Sequence, residues 1–287
     1  MDLILQTLHG APAHIEVIAR LCSAQRIQSL PAGDAGLQAW RCLDVQESED
    51  IRLAVMSAAN FAQFDASFVP PGRTWADFRL LAMDMDSTLI TIECIDEIAD
   101  MQGIKAQVAE ITEAAMRGEI GFNESLTRRV SLLKGLDARA LERVYDERLR
   151  LSLGAESLLA CAKQHGLKTL LVSGGFTFFT EKMRQRLDLD FAYGNVLEIV
   201  DGKLTGQVLG EILNAEKKRE YLLSTCAQLG VSGEAAIAMG DGANDLLMMG
   251  VAGISVAFRA KPAVKKQASV ALDFVGLNGV NALLTAR

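Results

Sequence analysis

The chain has 287 residues, 50% of them hydrophobic and 23% charged, a composition that is typical of globular proteins and predicts about two domains. Its formal net charge of -7 argues against a nucleic-acid partner, because phosphate backbones are bound by clustered lysine and arginine. No stretch is long enough to span a bilayer, and the N-terminus lacks the basic segment of a signal peptide, so we expect a cytoplasmic protein without a membrane partner.

The first unit of the chain, residues 1–72, alternates between strand and helix patterns. LILQTL and AWRCLDV predict strands, whereas HIEVIARLCSA and IRLAVMSAANFAQF predict amphipathic helices. The sequence VPPGRT follows, and its paired prolines and glycine break any helix and indicate a domain boundary. We identify no catalytic cluster in this unit, and we predict a small α+β domain.

After the boundary, short apolar runs alternate with helical patterns. FRLLAMD, LKTLLVS, AAIAMG and ISVAF predict buried strands, and amphipathic helical segments lie between them. The alternation predicts a doubly wound α/β core with a parallel sheet, made of residues 73–93 and 151–287. The segment FAYGNVLEIVDGKLTGQVLG alternates around an Asp-Gly turn and predicts a β-hairpin.

The insertion at residues 94–150 shows helical periodicity without a strand pattern. We therefore expect a helical cap, inserted after the first core strand. Such a cap would cover the carboxyl edge of the sheet, where open α/β folds bind their ligands.

Two carboxylates mark the end of the first core strand, in the sequence DMDST. Asp84 and Asp86 are two residues apart, so they are expected to point to the same side of the strand. At about 4 Å and an effective dielectric of about 20, their repulsion is roughly 4 kcal/mol. A shared proton or a hard cation such as Mg²⁺ would offset it, although most DxD pairs are solvated turn residues.

A second acidic cluster, GDGAND, follows the strand AAIAM. Asp241 is thereby brought to a carboxyl strand end, like Asp84. Asn244 or Asp245 could simply cap the next helix, which is the alternative to a functional site. Taken together, the two clusters favour a metal site.

Two further patterns are suited to binding a phosphate group. VSGG follows an apolar strand and offers the Ser173 hydroxyl and the Gly174 amide near a helix start, although a plain strand-to-helix turn would look the same. Lys218 is in helical phase with the apolar stripe of its helix, whereas Lys217 lies on the wetter side. A lysine on an inward face requires an anion, so we choose Lys218 as the phosphate ligand.

The order DMDST, SGG, Lys and GDGAND resembles the haloacid dehalogenase superfamily of phosphotransferases. DMDSTLITIECIDEIAD, FNESLTRRVSLLKG, VSGGF and GDGANDL resemble its phosphoserine phosphatases, and the resemblance runs from about Leu80 to the C-terminus. It implies that Asp84 is the nucleophile and Asp86 the general acid and then the general base. It also implies that Mg²⁺ is held by the Asp84 carboxylate, the Asp86 backbone carbonyl and Asp241.

The same resemblance implies roles for five further residues of the site. Ser173, the Gly174 amide and Lys218 would hold the phosphoryl oxygens. Asn244 would help to position the substrate. Asp245 would order either the metal ligands or the lysine.

Recognition of an amino-acid substrate requires an anion for its ammonium group and a cation for its carboxylate. The resemblance assigns these tasks to Glu93 and Arg129. Without it, a surface charge for Glu93 and a salt-bridged helix residue for Arg129 would be equally good interpretations. Arg129 is in helical phase with Phe122 on the apolar face, whereas Arg128 is not. Phe122 and Met116 are expected to line the pocket wall, with ordinary packing as the alternative.

Together these features predict hydrolysis of O-phospho-L-serine to serine and phosphate through an aspartyl-phosphate, as the last step of serine biosynthesis. Three alternatives stay open: phosphoryl transfer to another hydroxyl compound, another small phosphomonoester substrate, and a non-catalytic amino-acid sensor. The N-terminal unit resembles ACT-like regulatory domains, which leaves serine sensing, a homodimer contact or a structural role open.

Overall fold

The computed structural model describes residues 1–31 and 36–286, so residues 32–35 and 287 of the predicted domains lie outside the description. Its N-terminal part is an antiparallel sheet with two helices on one face, where Leu3 and Leu5 pack with Ile18 and Val55. Its elements are β1 (Asp2–Thr7), α1 (Ala13–Leu21), β2 (Arg26–Ser29), β3 (Gln38–Leu43), α2 (Glu49–Phe61) and β4 (Asp65–Val69). The strand order is β2-β3-β1-β4.

Two of these strands, β2 and β4, are absent from the sequence interpretation. β2 is a short edge strand that is mostly exposed, so it carries no clear alternation of apolar and polar residues. β4 is buried on both faces although it contains Asp65 and Ser67, and these polar residues mask its strand pattern.

The second part of the chain is a seven-stranded sheet in the order β11-β10-β9-β5-β6-β7-β8. All neighbours are parallel except β7 and β8, which form the predicted hairpin around Asp201 and Gly202. The strands are β5 (Leu80–Met83), β6 (Lys168–Phe176), β7 (Phe191–Val200), β8 (Lys203–Leu209), β9 (Ala236–Gly240), β10 (Ile254–Phe258) and β11 (Val270–Leu272).

Helices cover both faces of this sheet, as a doubly wound fold requires. Along β5, Leu81 and Met83 belong to the core cluster on one face, and Leu80 and Ala82 to the cluster on the other. The helices are α7 (Ala155–Gln164), α8 (Thr177–Leu187), α9 (Ala215–Gln228), α10 (Leu246–Met249), α11 (Pro262–Lys265) and α12 (Gly279–Leu283). The predicted α/β class is confirmed.

The cap is helical, as predicted, and is joined to the core by two adjacent chain crossings. Ile90 and Leu151 form an antiparallel bridge there, and the Thr91 N–H donates to the Arg150 carbonyl at 3.0 Å. The cap elements are α3 (Cys94–Met101), α4 (Lys105–Met116), α5 (Phe122–Ser131), α6 (Arg139–Arg143) and the turn Val144–Arg148. A second attachment links Leu204 of the hairpin with Gly135 and Leu136 through backbone hydrogen bonds of 2.8 Å.

The N-terminal sheet docks on the C-terminal part of the core. The Asp65 carboxylate accepts the backbone N–H groups of Asp273, Phe274 and Val275 at 2.8, 3.0 and 2.9 Å. The Arg41 guanidinium donates to the Thr285 carbonyl at 2.6 Å. No helix among the described residues has the length and apolar character to cross a membrane.

Candidate active site

Three chain segments meet at the carboxyl edge of the core sheet. They are the turn Met85–Leu89 after β5, the end of β6 and the turn after β9, and they are neighbours because β5 lies between β6 and β9. Helices α4 and α5 of the cap lie opposite this edge. Together these elements line a cavity of about 1100 Å³.

Asp84 and Asp86 both line the cavity, whereas Met85 between them is fully buried. Strand alternation is not the cause, because the strand ends at Met83. Instead, both aspartates have an extended backbone in a turn where Ser87 adopts a positive φ of 56°. This conformation is uncommon for a residue other than glycine and marks a constrained turn.

The side chain of Lys218 is fully buried between two carboxylates. Its Nζ lies 2.8 Å from Asp84 Oδ2 and 2.7 Å from Asp245 Oδ1. Lys217 points elsewhere and pairs with Glu211 and Glu220. The lysine in phase with the apolar stripe is thus the one that enters the site.

Burial and repulsion from neighbouring carboxylates raise the pKa values of Asp84 and Asp86. Burial, followed by the charge of Asp245, raises the pKa of Asp84 well above 3.8, although Lys218 opposes the rise. Burial and the nearby Glu93 raise the pKa of Asp86 to about 8. Burial alone would lower the pKa of Lys218, but Asp245 and Asp84 raise it above its ordinary value, so the lysine stays charged.

Three carboxylates form a cluster that fits a divalent cation. Asp84, Asp241 and Asp245 offer oxygen atoms that all lie within 4.8 Å of one another. Asp245 accepts from Lys218 and from the Gly242 N–H, at 2.7 and 3.1 Å, and Asp84 accepts from the same lysine and from the Met85 N–H, at 2.8 and 2.7 Å, so two of the three carboxylates share one ammonium group. Because these donors are all oxygen atoms and one ammonium cannot neutralise them, a hard cation fits the site.

The glycines of GDGAND allow close packing rather than an unusual backbone. Neither Gly240 nor Gly242 has a positive φ, so the backbone conformation does not itself require glycine at these positions. A Cβ at Gly240 would lie 2.3 Å from the Asp245 carboxyl group, and one at Gly242 would lie 2.2 Å from the Asn244 side chain. A larger residue at either position would displace a side chain of the site.

Ser173 and Gly174 border the cavity within β6, which continues to Phe176 rather than ending before the SGG sequence. The Ser173 hydroxyl accepts the Gly175 N–H at 2.9 Å. A Cβ at Gly174 would lie 2.9 Å from the ring of Phe122, which packs directly over the turn. The glycine therefore allows the ring of Phe122 in the cap to pack closely against this strand.

Glu93 and Arg129 line the same cavity, close enough for the charge of Glu93 to act on the pKa of Arg129. Glu93 accepts a hydrogen bond from the Ser87 hydroxyl at 2.7 Å. The Arg129 guanidinium donates through Nε to the Ser125 carbonyl at 3.4 Å, and burial lowers its pKa. Arg128, one residue earlier, pairs instead with a glutamate on the exposed face of α5.

The remaining predicted residues also border the cavity. Asn244 lines it beside Asp241, and Phe122 and Met116 line it from the cap. Met116 is 63% exposed, so it forms part of the rim rather than a closed wall.

Two residues that the motifs did not single out belong to this cavity. Ser87 orients Glu93, and Asp96 supports Arg129 electrostatically, since its charge raises the pKa of the arginine that burial lowers. Asp96 Oδ1 is buried without a hydrogen-bond partner among the described residues. Asp96 lies three residues after Glu93, so helical spacing places both carboxylates on one face, and this spacing could have identified Asp96 from the sequence.

Comparisons with known proteins define the class. The haloacid dehalogenase-like hydrolase model matches residues 78–253, more than half of the chain, and the chain belongs to this family. It is 57% identical to a phosphoserine phosphatase from Polaromonas sp. over 213 residues, which cover 72% of this chain and 90% of that protein.

Two solved structures extend the similarity to the complete fold. A haloacid dehalogenase family hydrolase from Salmonella enterica serovar Typhi has a TM-score of 0.89 at 32% identity, with 99% of both chains covered. A probable phosphoserine phosphatase from Vibrio cholerae has a TM-score of 0.81 at 37% identity, with 99% of this chain and 86% of that chain covered. Phosphatases of this family generally use a divalent metal, which agrees with the acidic cluster.

Proposed function

We propose that the chain hydrolyses O-phospho-L-serine to L-serine and inorganic phosphate with Mg²⁺, as the last step of serine biosynthesis. The observation that carries the proposal is one cavity that joins two kinds of group. Asp84 and Asp241 line it and, with Lys218 buried beside Asp84, suit a phosphoryl group, while Glu93 and Arg129 line it and suit the charges of an amino acid. The similarity to phosphoserine phosphatases supports the same substrate.

In the first step, an oxygen of the Asp84 carboxylate attacks phosphorus while the bond to the seryl oxygen breaks. The electron pair of that bond goes to the seryl oxygen, which takes a proton from Asp86. A carboxyl group with a pKa of about 8 holds its proton at neutral pH, which suits this role. Serine leaves, and the phosphoryl group stays on Asp84 as an aspartyl-phosphate.

In the second step, Asp86 has lost its proton and acts as a base. It takes a proton from a water molecule whose oxygen attacks the phosphorus, and the bond to Asp84 breaks. Inorganic phosphate leaves and the Asp84 carboxylate is restored. Lys218, 2.8 Å from Asp84, favours the ionised carboxylate at the start and end of the cycle.

The phosphoryl oxygens are held by Ser173, the Gly174 N–H and Lys218, which stabilise charge through fixed donors. Mg²⁺, when held by the carboxylates of Asp84 and Asp241 and the Asp86 carbonyl, would neutralise charge on the phosphoryl group. Asp245 keeps Lys218 in position through their 2.7 Å ion pair.

Substrate choice follows from the charges on the cap side. Glu93 accepts the substrate ammonium, and Arg129 binds the carboxylate through its two terminal nitrogens. Phe122 and Met116 border the side chain of the substrate, and Asn244 positions it from the core. The residue ranges 1–72, 73–93 with 151–287, and 94–150 act as N-terminal domain, catalytic core and cap.

All five cysteines are free, as expected in a reducing compartment, which supports a cytoplasmic location. Sedimentation of the full chain tests for the homodimer that the sequence leaves open. A homodimer would sediment at twice the mass of 31.0 kDa.

Phosphate release tests the proposed substrate and metal. L-phosphoserine, phosphothreonine and an aryl phosphate are each incubated with the full chain, with Mg²⁺ or with EDTA. We expect selective release from L-phosphoserine that EDTA abolishes and added Mg²⁺ restores. Release from the aryl phosphate alone would contradict the roles of Glu93 and Arg129, and no release at all would favour a sensor.

A further inference from the structure

Asn195 lies on β7, beside Ser173 and Gly174 of the neighbouring strand β6, and is only 2% exposed. Its Nδ2 donates to the Gly174 carbonyl at 2.8 Å, and its Oδ1 accepts the Leu213 N–H at 2.8 Å. The orientation of this amide is fixed by its partners, because a carbonyl can only accept and an N–H can only donate. Asn195 borders the phosphate-binding turn without lining the cavity.

We propose that Asn195 is a positioning residue, which sets the geometry of the phosphoryl-binding groups through the peptide that follows Gly174. This inference rests on the proposed function, because it takes Ser173 and Gly174 as phosphoryl ligands. It assigns no contact between Asn195 and the substrate.

An interruption of the β6–β7 ladder explains why a side chain is needed here. Val172 pairs with Tyr193, and the next pair is Phe176 with Asn195, so the register shifts across residues 173–175. The backbone between these pairs has no ladder partner on β7, and leaving a partly buried carbonyl without a donor costs free energy. The Asn195 amide supplies the missing donor to Gly174.

The peptide between Gly174 and Gly175 is held at both ends. Its carbonyl accepts from Asn195, and its N–H donates to the Ser173 hydroxyl at 2.9 Å. Because the Ser173 oxygen accepts at that point, its own proton is directed to another acceptor. The phosphoryl group is the acceptor that the proposed function supplies.

The amide oxygen of Asn195 bonds to the segment just before the helix that carries Lys218. Leu213 precedes Asn214, the N-cap of α9, whose side chain accepts the Lys217 N–H at 3.1 Å. Lys218 lies in the first turn of this helix. One buried amide thus connects the two elements that hold the phosphoryl oxygens.

Two substitutions separate this role from ordinary packing. Asn195→Asp keeps the shape and an acceptor for the Leu213 N–H but removes the donor to Gly174. Asn195→Leu has a similar volume and removes both bonds. Thr169→Val is the matched control, because Thr169 bonds Asp190, the residue just before β7, at 3.0 Å at the opposite end of β6.

The test uses the full-length, Mg²⁺-loaded protein. For both Asn195 variants we expect kcat on phosphoserine to fall about 100-fold, as for a misplaced donor at a reacting group. Calorimetry should show orthovanadate binding weakened about tenfold or more, and L-serine binding changed less than about twofold, since only phosphoryl ligands move. Thr169→Val should alter these values less than about twofold.

Equal weakening of vanadate and serine binding, or equal losses in Thr169→Val, would overturn the inference and reduce Asn195 to a structural residue. An unchanged kcat in Asn195→Asp would overturn it as well. If Asn195→Leu does not fold, Asn195→Asp decides alone. A wild-type protein that binds vanadate without hydrolysing phosphoserine would refute the proposed function only, whereas one that binds no vanadate would overturn this inference too.

Discussion

Among single residues, Lys218 has two tasks in the proposed function, since its ammonium group pairs with Asp84 and Asp245 and would bind the phosphoryl group beside Asp84. Lys218→Met should abolish turnover and lower the free energy of unfolding by about 3–5 kcal/mol, because two buried carboxylates lose their partner. Steady-state kinetics and urea unfolding measure the two effects. Lys217→Met, on the wetter side of the same helix, should change neither quantity appreciably, and activity that survives in Lys218→Met would contradict the assignment.

In the proposed function, Arg129 carries the selectivity for an amino-acid substrate. Arg129→Ala should lower kcat/KM for phosphoserine about 100-fold, the effect of losing a charged hydrogen-bonded pair, and leave an aryl phosphate within about threefold. Arg128→Ala is the control, because Arg128 pairs with Glu124 on the exposed face. Equal losses for both substrates in Arg129→Ala would indicate a structural role.

Helical phase alone selects the buried lysine and the inward arginine, because an α-helix presents each face at a fixed spacing. The contacts of Ser87 and Asn195 could not be predicted in this way. Their partners are six and about twenty residues away, on other elements, and neither stands in a motif that implies the contact. The requirement for glycine in GDGAND could not be predicted either, because it depends on side chains that come close only in the folded chain.

Among the secondary-structure elements, the cap is the one expected to move. Backbone hydrogen bonds between residues 135–138 and the β7–β8 hairpin hold residues 133–138 to the core. Helix α4 and the start of α5 instead face the cavity. Hydrogen exchange should therefore slow in these two helices when Mg²⁺ and orthovanadate bind, because closure excludes water. Residues 133–138 should exchange at an unchanged rate, and identical rates throughout 94–150 would refute a closing cap.

Elements with a continuous apolar run could be predicted from the sequence, and very short or exposed ones could not. The core strands β5, β6, β9 and β10 are continuous apolar runs, which parallel sheets require. β11 has three residues and β2 is an exposed edge, so neither provides enough pattern to recognise.

The complete chain depends on the contact between its N-terminal sheet and the core, and Asp65 lies at this contact. Asp65→Asn replaces one acceptor oxygen by a donor that faces backbone N–H groups, so we expect a loss of about 1–3 kcal/mol in the free energy of unfolding. Thermal or urea unfolding measures the loss. Asp188→Asn, at an exposed surface pair, is the control.

The same substitution should show a pH dependence. Burial outweighs the three backbone hydrogen bonds and raises the pKa of Asp65 from 3.8 to about 6 in the folded chain. The folded state therefore binds the proton more tightly, and this stabilisation is complete below pH 3.8 and is lost as the pH rises through 6. The advantage of wild type over Asp65→Asn should be roughly 1 kcal/mol larger at pH 5 than at pH 7.5. A larger advantage at pH 7.5 would contradict the raised pKa.

This docking could not be predicted from the sequence. Residue patterns show that β1 is apolar, but they do not show that one of its faces meets α1 and α2 while the other meets the core. Ile4 and Val280, far apart in sequence, share the main core cluster, and only the folded chain brings them together.

The covalent step at Asp84 is tested by trapping the phosphorylated protein. The Mg²⁺-loaded chain is quenched with acid during turnover of L-phosphoserine labelled in its phosphate, and its peptides are examined by mass spectrometry. We expect one phosphorylated peptide that contains Asp84, absent in Asp84→Asn and absent when EDTA is present. Phosphate release without a labelled peptide, or label on a residue other than Asp84, would contradict the mechanism.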